Sequence, residues 1–138
     1  MAFNWTDYHA LAKTLASDPS RGGHREANLR AAISRAYYAA HHSARSLYCL
    51  EVPAVCKKTH GMHQETIDYF TGGSFTQIPT AQTRSRIATN LLALMEFRLN
   101  CDYDTIFNGN IELVVFQVIR MSENVIRDCE QITKTITT

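Results

Sequence analysis

The chain has 138 residues, 45% of them hydrophobic and 20% charged, and a formal net charge of +1. This balance excludes a disordered chain and fits one folded domain, 1–138, with a core of its own. It also excludes a general attraction to polyanions, so any nucleic-acid role must rest on a local basic site.

The first predicted helix covers residues 5–16. Asn4 stands where an N-cap belongs, and Tyr8, Leu11, Ala12 and Leu15 recur at helical spacing. The run Ser17-Asp18-Pro19-Ser20-Arg21-Gly22-Gly23 breaks it. The second helix covers residues 26–50 and is rich in Ala, Leu and Arg, all strong helix formers. Ile33, Tyr37, Ala40, Ala44 and Leu47 share one face, and Pro53 closes the region. A third helix over 59–70 would be capped by Thr59 and anchored by Met62, Ile67 and Phe70.

Gly72-Gly73 ends that helix, and a loop follows to Pro79. The fourth helix covers 80–99, with Ile87, Leu91, Leu94 and Met95 inward. Residues 100–110 read as a connection containing Asp102-Tyr103-Asp104. The last helix covers 110–135, where Ile111, Val115, Val118, Val125, Cys129, Ile132 and Ile136 keep a near-heptad spacing and Ser122 fills the gap. Leu113 to Ile119 is β-branched enough to read as a strand, but the length of the periodic stretch favours helix. The expected fold is all-α: an antiparallel bundle of about five helices around an up-and-down four-helix core.

No apolar run approaches the roughly 18 residues needed to cross a bilayer. The first eight residues carry Asp7 and no basic cluster, unlike a secretory signal. A cytoplasmic protein without membrane contact is therefore expected. The spacing of Cys49, Cys56, Cys101 and Cys129 matches no zinc knuckle, so reduced, mostly buried thiols are expected.

The second helix is the most informative stretch. At about 100° per residue from Ile33, its apolar set falls within roughly 40° of zero, and Arg35, Tyr38, His42 and Arg45 fall between about 120° and 200°. One reading is the wet side of an amphipathic helix, although Lys and Glu serve that purpose better than Tyr and His. The chemical reading is a site in which histidine moves a proton, a guanidinium steadies a phosphate, and tyrosine stacks on a base or bonds a phosphate. Arg35 and His42 lie two turns apart on one line, whereas His41 lies beside Tyr37 at the core edge as a packed histidine.

The run Ser34-Arg35-Ala36-Tyr37-Tyr38-Ala39-Ala40-His41-His42 resembles the helix signature of a prokaryotic family in the HEPN superfamily, where Arg-Ala-Tyr-Tyr-Ala is followed by an aromatic residue and His. His41 stands where that family commonly has Phe. Trp5-Thr6-Asp7-Tyr8, His60-Gly61-Met62-His63, and Arg98 with Asp102-Tyr103-Asp104 resemble other segments of the same family. The resemblance implies a homodimeric endoribonuclease acting without metal or cofactor, with Arg35 and His42 from both subunits in one cleft. It implies RNA or a nucleotide as ligand, and a toxin or effector role beside an antitoxin. The alternative it implies is a non-catalytic interaction or nucleotide-binding module partnering a nucleotidyltransferase. Tyr38, His41, Arg45, Arg98 and Asp102 are the candidate supporting residues.

Other constellations read more plainly. Cys56, His60 and His63 have ligand chemistry, but a fourth ligand is not evident, so no metal site is expected. Asp102 and Asp104 read as turn formers, with Asp102 able to pair with Arg98 and Tyr103 packed as an anchor. Arg84, Arg86 and Arg98 read as solvated side chains, with a basic rim as the alternative. Gly22-Gly23 and Gly72-Gly73 are breakers, not phosphate loops.

Overall fold

The computed structural model describes residues 3–58, 62–72 and 78–137. All regular structure among them is helical: α1 (Thr6–Ser17), α2 (Arg25–Glu51), α3 (Met62–Thr71), α4 (Ile78–Tyr103) and α5 (Ile111–Thr137), with 3-10 turns at Arg21–Gly23 and Pro53–Lys57. The stretch read as helix or strand, 113–119, lies inside α5. No helix among the described residues is long and apolar enough to cross a membrane.

Side-chain contacts fix the directions. Trp5 meets His42 and Tyr8 meets Arg35, so α1 runs antiparallel to α2. Arg30 meets Cys101 while Glu51 meets Arg84, so α4 does too. Arg25 meets Glu112 and Ser122 meets Ala36, so α5 runs parallel to α2. These four helices form the expected up-and-down core, with α2 and α5 packed most extensively against each other. Alanines allow that approach: Ala32, Ala36, Ala40 and Ala44 are fully buried, and Ser122 Oγ donates to the Ala36 carbonyl at 2.6 Å. The chain then turns back after α2, and α3 runs alongside it in the same direction, from His63 beside Tyr37 to Tyr69 beside Glu51.

The predicted inward set of α2 is buried throughout, as are Met62, Ile67 and Phe70 on α3. Leu11 departs from expectation and is exposed, because Ala12 and Ala16 are the α1 residues turned into the core. Ile136 is also exposed, near the end of α5. Asn4 acts from just outside α1, its Oδ1 accepting the Thr6 N–H at 3.1 Å. The Thr59 cap lies outside the described residues. Gly22 and Gly23 both take positive φ, which suits the corner between α1 and α2 to glycine.

The connection after α4 starts later than predicted. Arg30 reaches across from α2 and donates to the carbonyls of Cys101 at 3.0 Å, Asp104 at 2.6 Å and Thr105 at 3.0 Å. That guanidinium satisfies carbonyls the helix end leaves open, so α4 continues through Asp102 and Tyr103. Tyr103 is not the expected anchor; it is exposed. Asn110 caps α5, its Oδ1 accepting the Glu112 N–H at 3.0 Å.

The arginine expectation is corrected for two residues. Arg84 and Arg98 are buried. Arg84 makes a bidentate pair with Glu51 at 2.7 and 2.6 Å, and the Tyr69 hydroxyl donates to the same carboxylate at 2.9 Å. This clamp joins α2, α3 and α4. The cysteine expectation is corrected too: Cys49 and Cys56 are paired as a disulfide, their Cα atoms 5.1 Å apart. The turn at Pro53–Lys57 brings Cys56 back beside the last turn of α2. Cys101 and Cys129 are the buried free thiols.

Candidate functional site

Two groups of polar and aromatic side chains line α2. The first lies under α1. Phe3, Trp5 and Tyr8 form a three-ring cluster, with Trp5 and Tyr8 centroids 5.5 Å apart. The Asn4 bonds to the Thr6 N–H and hydroxyl fix the start of α1 and hence where Trp5 sits. His42 stacks on Trp5 at 3.4 Å with planes 12° apart, and the Arg35 guanidinium sits 4.9 Å from the Tyr8 ring centre. Arg35 and His42 thus rest on one aromatic cluster. Burial, with Arg45 and His63 nearby, lowers the His42 pKa to about 4, so its imidazole is neutral at pH 7.

The second group lies between α2, α3 and α4. Tyr37 hydroxyl and His63 Nδ1 share a 2.6 Å hydrogen bond. Burial raises the Tyr37 pKa well above the usual phenol range, so the hydroxyl keeps its proton. His41 is buried and stacks on His63 at 4.3 Å; burial, then the charges of His63, His42, Arg45 and Arg98, lowers its pKa to about 3. Arg98 closes the group: its Cζ lies 5.1 Å from the Tyr37 ring centre and 5.5 Å from that of Tyr38. Its Nη1 donates to the Tyr38 hydroxyl at 3.4 Å and lies 3.6 Å from Asp102 Oδ2, to which Ser34 also donates at 3.4 Å. Arg98 Nε is buried and has no hydrogen-bond partner among the described residues. Two ring faces and one carboxylate therefore hold this buried charge.

Tyr38 joins the groups, its ring 6.3 Å from His42 and 6.0 Å from His63. The candidate residues are thus mostly brought together: Arg35 and His42 against α1, and Tyr38, His41, Arg98 and Asp102 in the neighbouring cluster. Arg45 is directed elsewhere, its Nη2 donating to the Lys58 carbonyl. Arg35, Tyr38, His42 and Arg45 are all half-buried, so the stripe is not simply a wet helix face.

A cavity of about 490 Å³ opens beside His42, between the start of α1 and the C-terminal halves of α2 and α5. Trp5, His63 and the α5 lining of this cavity were not among the expected site residues. Three aromatic rings within six residues at the N-terminus are a signal for Trp5; none marks the α5 lining. Cys56, held in its disulfide, is not a thiolate ligand, and His60 lies outside the described residues. No group of three or more metal-ligating side chains converges among the described residues. Comparison with protein-family models, curated proteins and solved structures finds no match.

Proposed function

We propose that this chain is a HEPN-like endoribonuclease that needs no metal, acting as the toxin or effector of a prokaryotic defence or toxin–antitoxin pair. The observation that carries this reading is the seating of Arg35 and His42 on one aromatic cluster, on a helix whose sequence resembles the HEPN signature. His42, neutral at pH 7, accepts the proton of a ribose 2′-hydroxyl as its oxygen attacks the adjacent phosphorus. Arg35 steadies the negative charge that builds on the phosphorane oxygens. The bond to the 5′-oxygen breaks, and that oxygen takes the proton back from the His42 imidazolium. The products are a 2′,3′-cyclic phosphate and a 5′-hydroxyl. Tyr38, between the two groups, supplies a further hydroxyl near His42.

As the resemblance implies, two copies contribute to one cleft. The working compartment in this reading is the cytoplasm. A labelled RNA incubated with the protein in chelator tests the chemistry. Cyclic phosphate and 5′-hydroxyl ends are expected; 3′-hydroxyl and 5′-phosphate ends would refute it.

A non-catalytic module partnering a nucleotidyltransferase is the second reading. It is favoured by exposed apolar side chains at the α4–α5 corner: Ile106 at 78%, Leu113 at 70%, and Phe116. Leu113 and Phe116 lie on the α5 face turned away from α2, and apolar groups so placed suit a protein contact. Saturable RNA or nucleotide binding without turnover would favour this reading.

A further inference from the structure

The cavity beside His42 has chemistry of its own. Phe3, Trp5, Leu50 and Ile126 give it apolar lining, and His42 lines it as well. No lysine or arginine lines it. Its charged lining group is the carboxylate of Glu130, which has no hydrogen-bond or ion-pair partner among the described residues. The Ser46 hydroxyl is already bonded to the His42 carbonyl at 2.8 Å, and that of Thr133 to the Cys129 carbonyl at 2.8 Å. Glu130, exposed at the cavity, is therefore the charged group left to read a ligand, with the Asn4 amide N–H donors, the Ser43 hydroxyl and the His42 ring as neutral polar groups beside it. The volume falls within the roughly 300–1,000 Å³ range of small-ligand pockets.

A phosphate would meet a carboxylate here with no cation in the lining, so an anionic occupant is disfavoured. A flat, uncharged ring with donors on its edge is complementary to both features. Among the nucleobases, guanine presents two adjacent N–H donors, N1–H and the N2 amino group, which one carboxylate can accept together. Adenine and cytosine offer an amino donor beside a ring nitrogen acceptor, which the carboxylate would oppose. Uracil offers one N–H between two acceptors.

We propose that this cavity receives an unpaired guanine, its ring against Phe3 and Trp5 and its N1–H and N2–H edge on Glu130. The inference deepens the nuclease reading by naming the base held beside His42, and rests on that reading for its link to cleavage. Recognition by a carboxylate discriminates because a base lacking the paired donors leaves it unsatisfied.

Trp5 is the single tryptophan of the chain and lines the cavity, so its fluorescence reports occupancy. The full chain is titrated with guanosine, adenosine, cytidine and uridine, with correction for nucleoside absorbance. Guanosine should quench saturably and bind roughly tenfold or more tightly than the others. Glu130→Gln should weaken guanosine binding by roughly tenfold with helical circular dichroism unchanged. Glu123→Gln, on the same helix outside this cavity, should bind as the parent does. No saturable quenching, equal binding of all four nucleosides, or undiminished binding by Glu130→Gln would overturn the proposal. Guanosine selectivity without RNA cutting would leave this inference standing and remove the nuclease reading. RNA cutting by a protein that binds no nucleoside would do the reverse.

Discussion

The imidazole of His42 lies flat on the indole of Trp5, 3.4 Å between ring centres and 12° from parallel. The histidine belongs to α2, but α1 sets its environment. Burial is the largest cause of its lowered pKa, and Trp5 supplies part of that burial. Trp5→Leu should therefore raise the His42 pKa from about 4 towards the ordinary 6.5. Titration of its imidazole carbon-bound protons by NMR measures this. An unchanged value would mean that the stack does not control the imidazole.

The same lowered pKa sets a pH profile for the proposed cleavage. The base form of His42 is lost only as pH falls through about 4. In kcat/KM for the parent protein, the acid limb from this group should lie near pH 4, and Trp5→Leu should move it upward. A limb near 6.5 in the parent would contradict the assignment of the base to this buried imidazole.

His41 makes stability depend on pH. Its folded pKa is about 3 against 6.5 for an ordinary histidine, so below pH 6.5 the unfolded chain binds the proton more readily. Stability from this residue is complete above 6.5 and is lost as pH falls towards 3, up to on the order of 4 kcal/mol. His41→Leu should flatten the fall in melting temperature over that window. An unchanged slope would place the acid sensitivity elsewhere.

The Arg84–Glu51 pair is a structural clamp. Glu51→Ala removes the carboxylate from a buried guanidinium and should cost about 3 kcal/mol in urea unfolding. Glu51→Ala with Arg84→Met should cost less than Glu51→Ala alone, because the second change removes the buried charge. Equal losses would show that the charge is not what the first change exposes.

The disulfide is open to a direct count. Alkylation of the unfolded chain without reductant should modify two cysteines, Cys101 and Cys129, and with reductant all four. Four modified thiols without reductant would restore the all-reduced expectation.

The helices were legible because their apolar residues recur at helical spacing, and the face of α2 that carries Arg35 and His42 follows from the same arithmetic. What a side chain meets across the bundle does not. Arg98 reads as a surface arginine until the packing of α4 on α2 sets it against Tyr37 and Tyr38, with Asp102 one turn on along α4. Arg30 carries no sequence mark as the cap of α4, and without that cap Tyr103 reads as a loop residue anchored on the bundle. Cys49 and Cys56 looked like separate thiols because only the turn after Pro53 brings them together. Periodicity gives the face a residue takes; distant partners decide whether it is solvated, buried or poised to react.

RNA cutting in chelator by the purified chain beside His42→Ala and Arg35→Ala is the decisive comparison. Each variant should lose cutting by on the order of a hundredfold or more while keeping the parent's helical circular dichroism. Undiminished cutting by either folded variant would contradict the assignment of the chemistry to these two side chains.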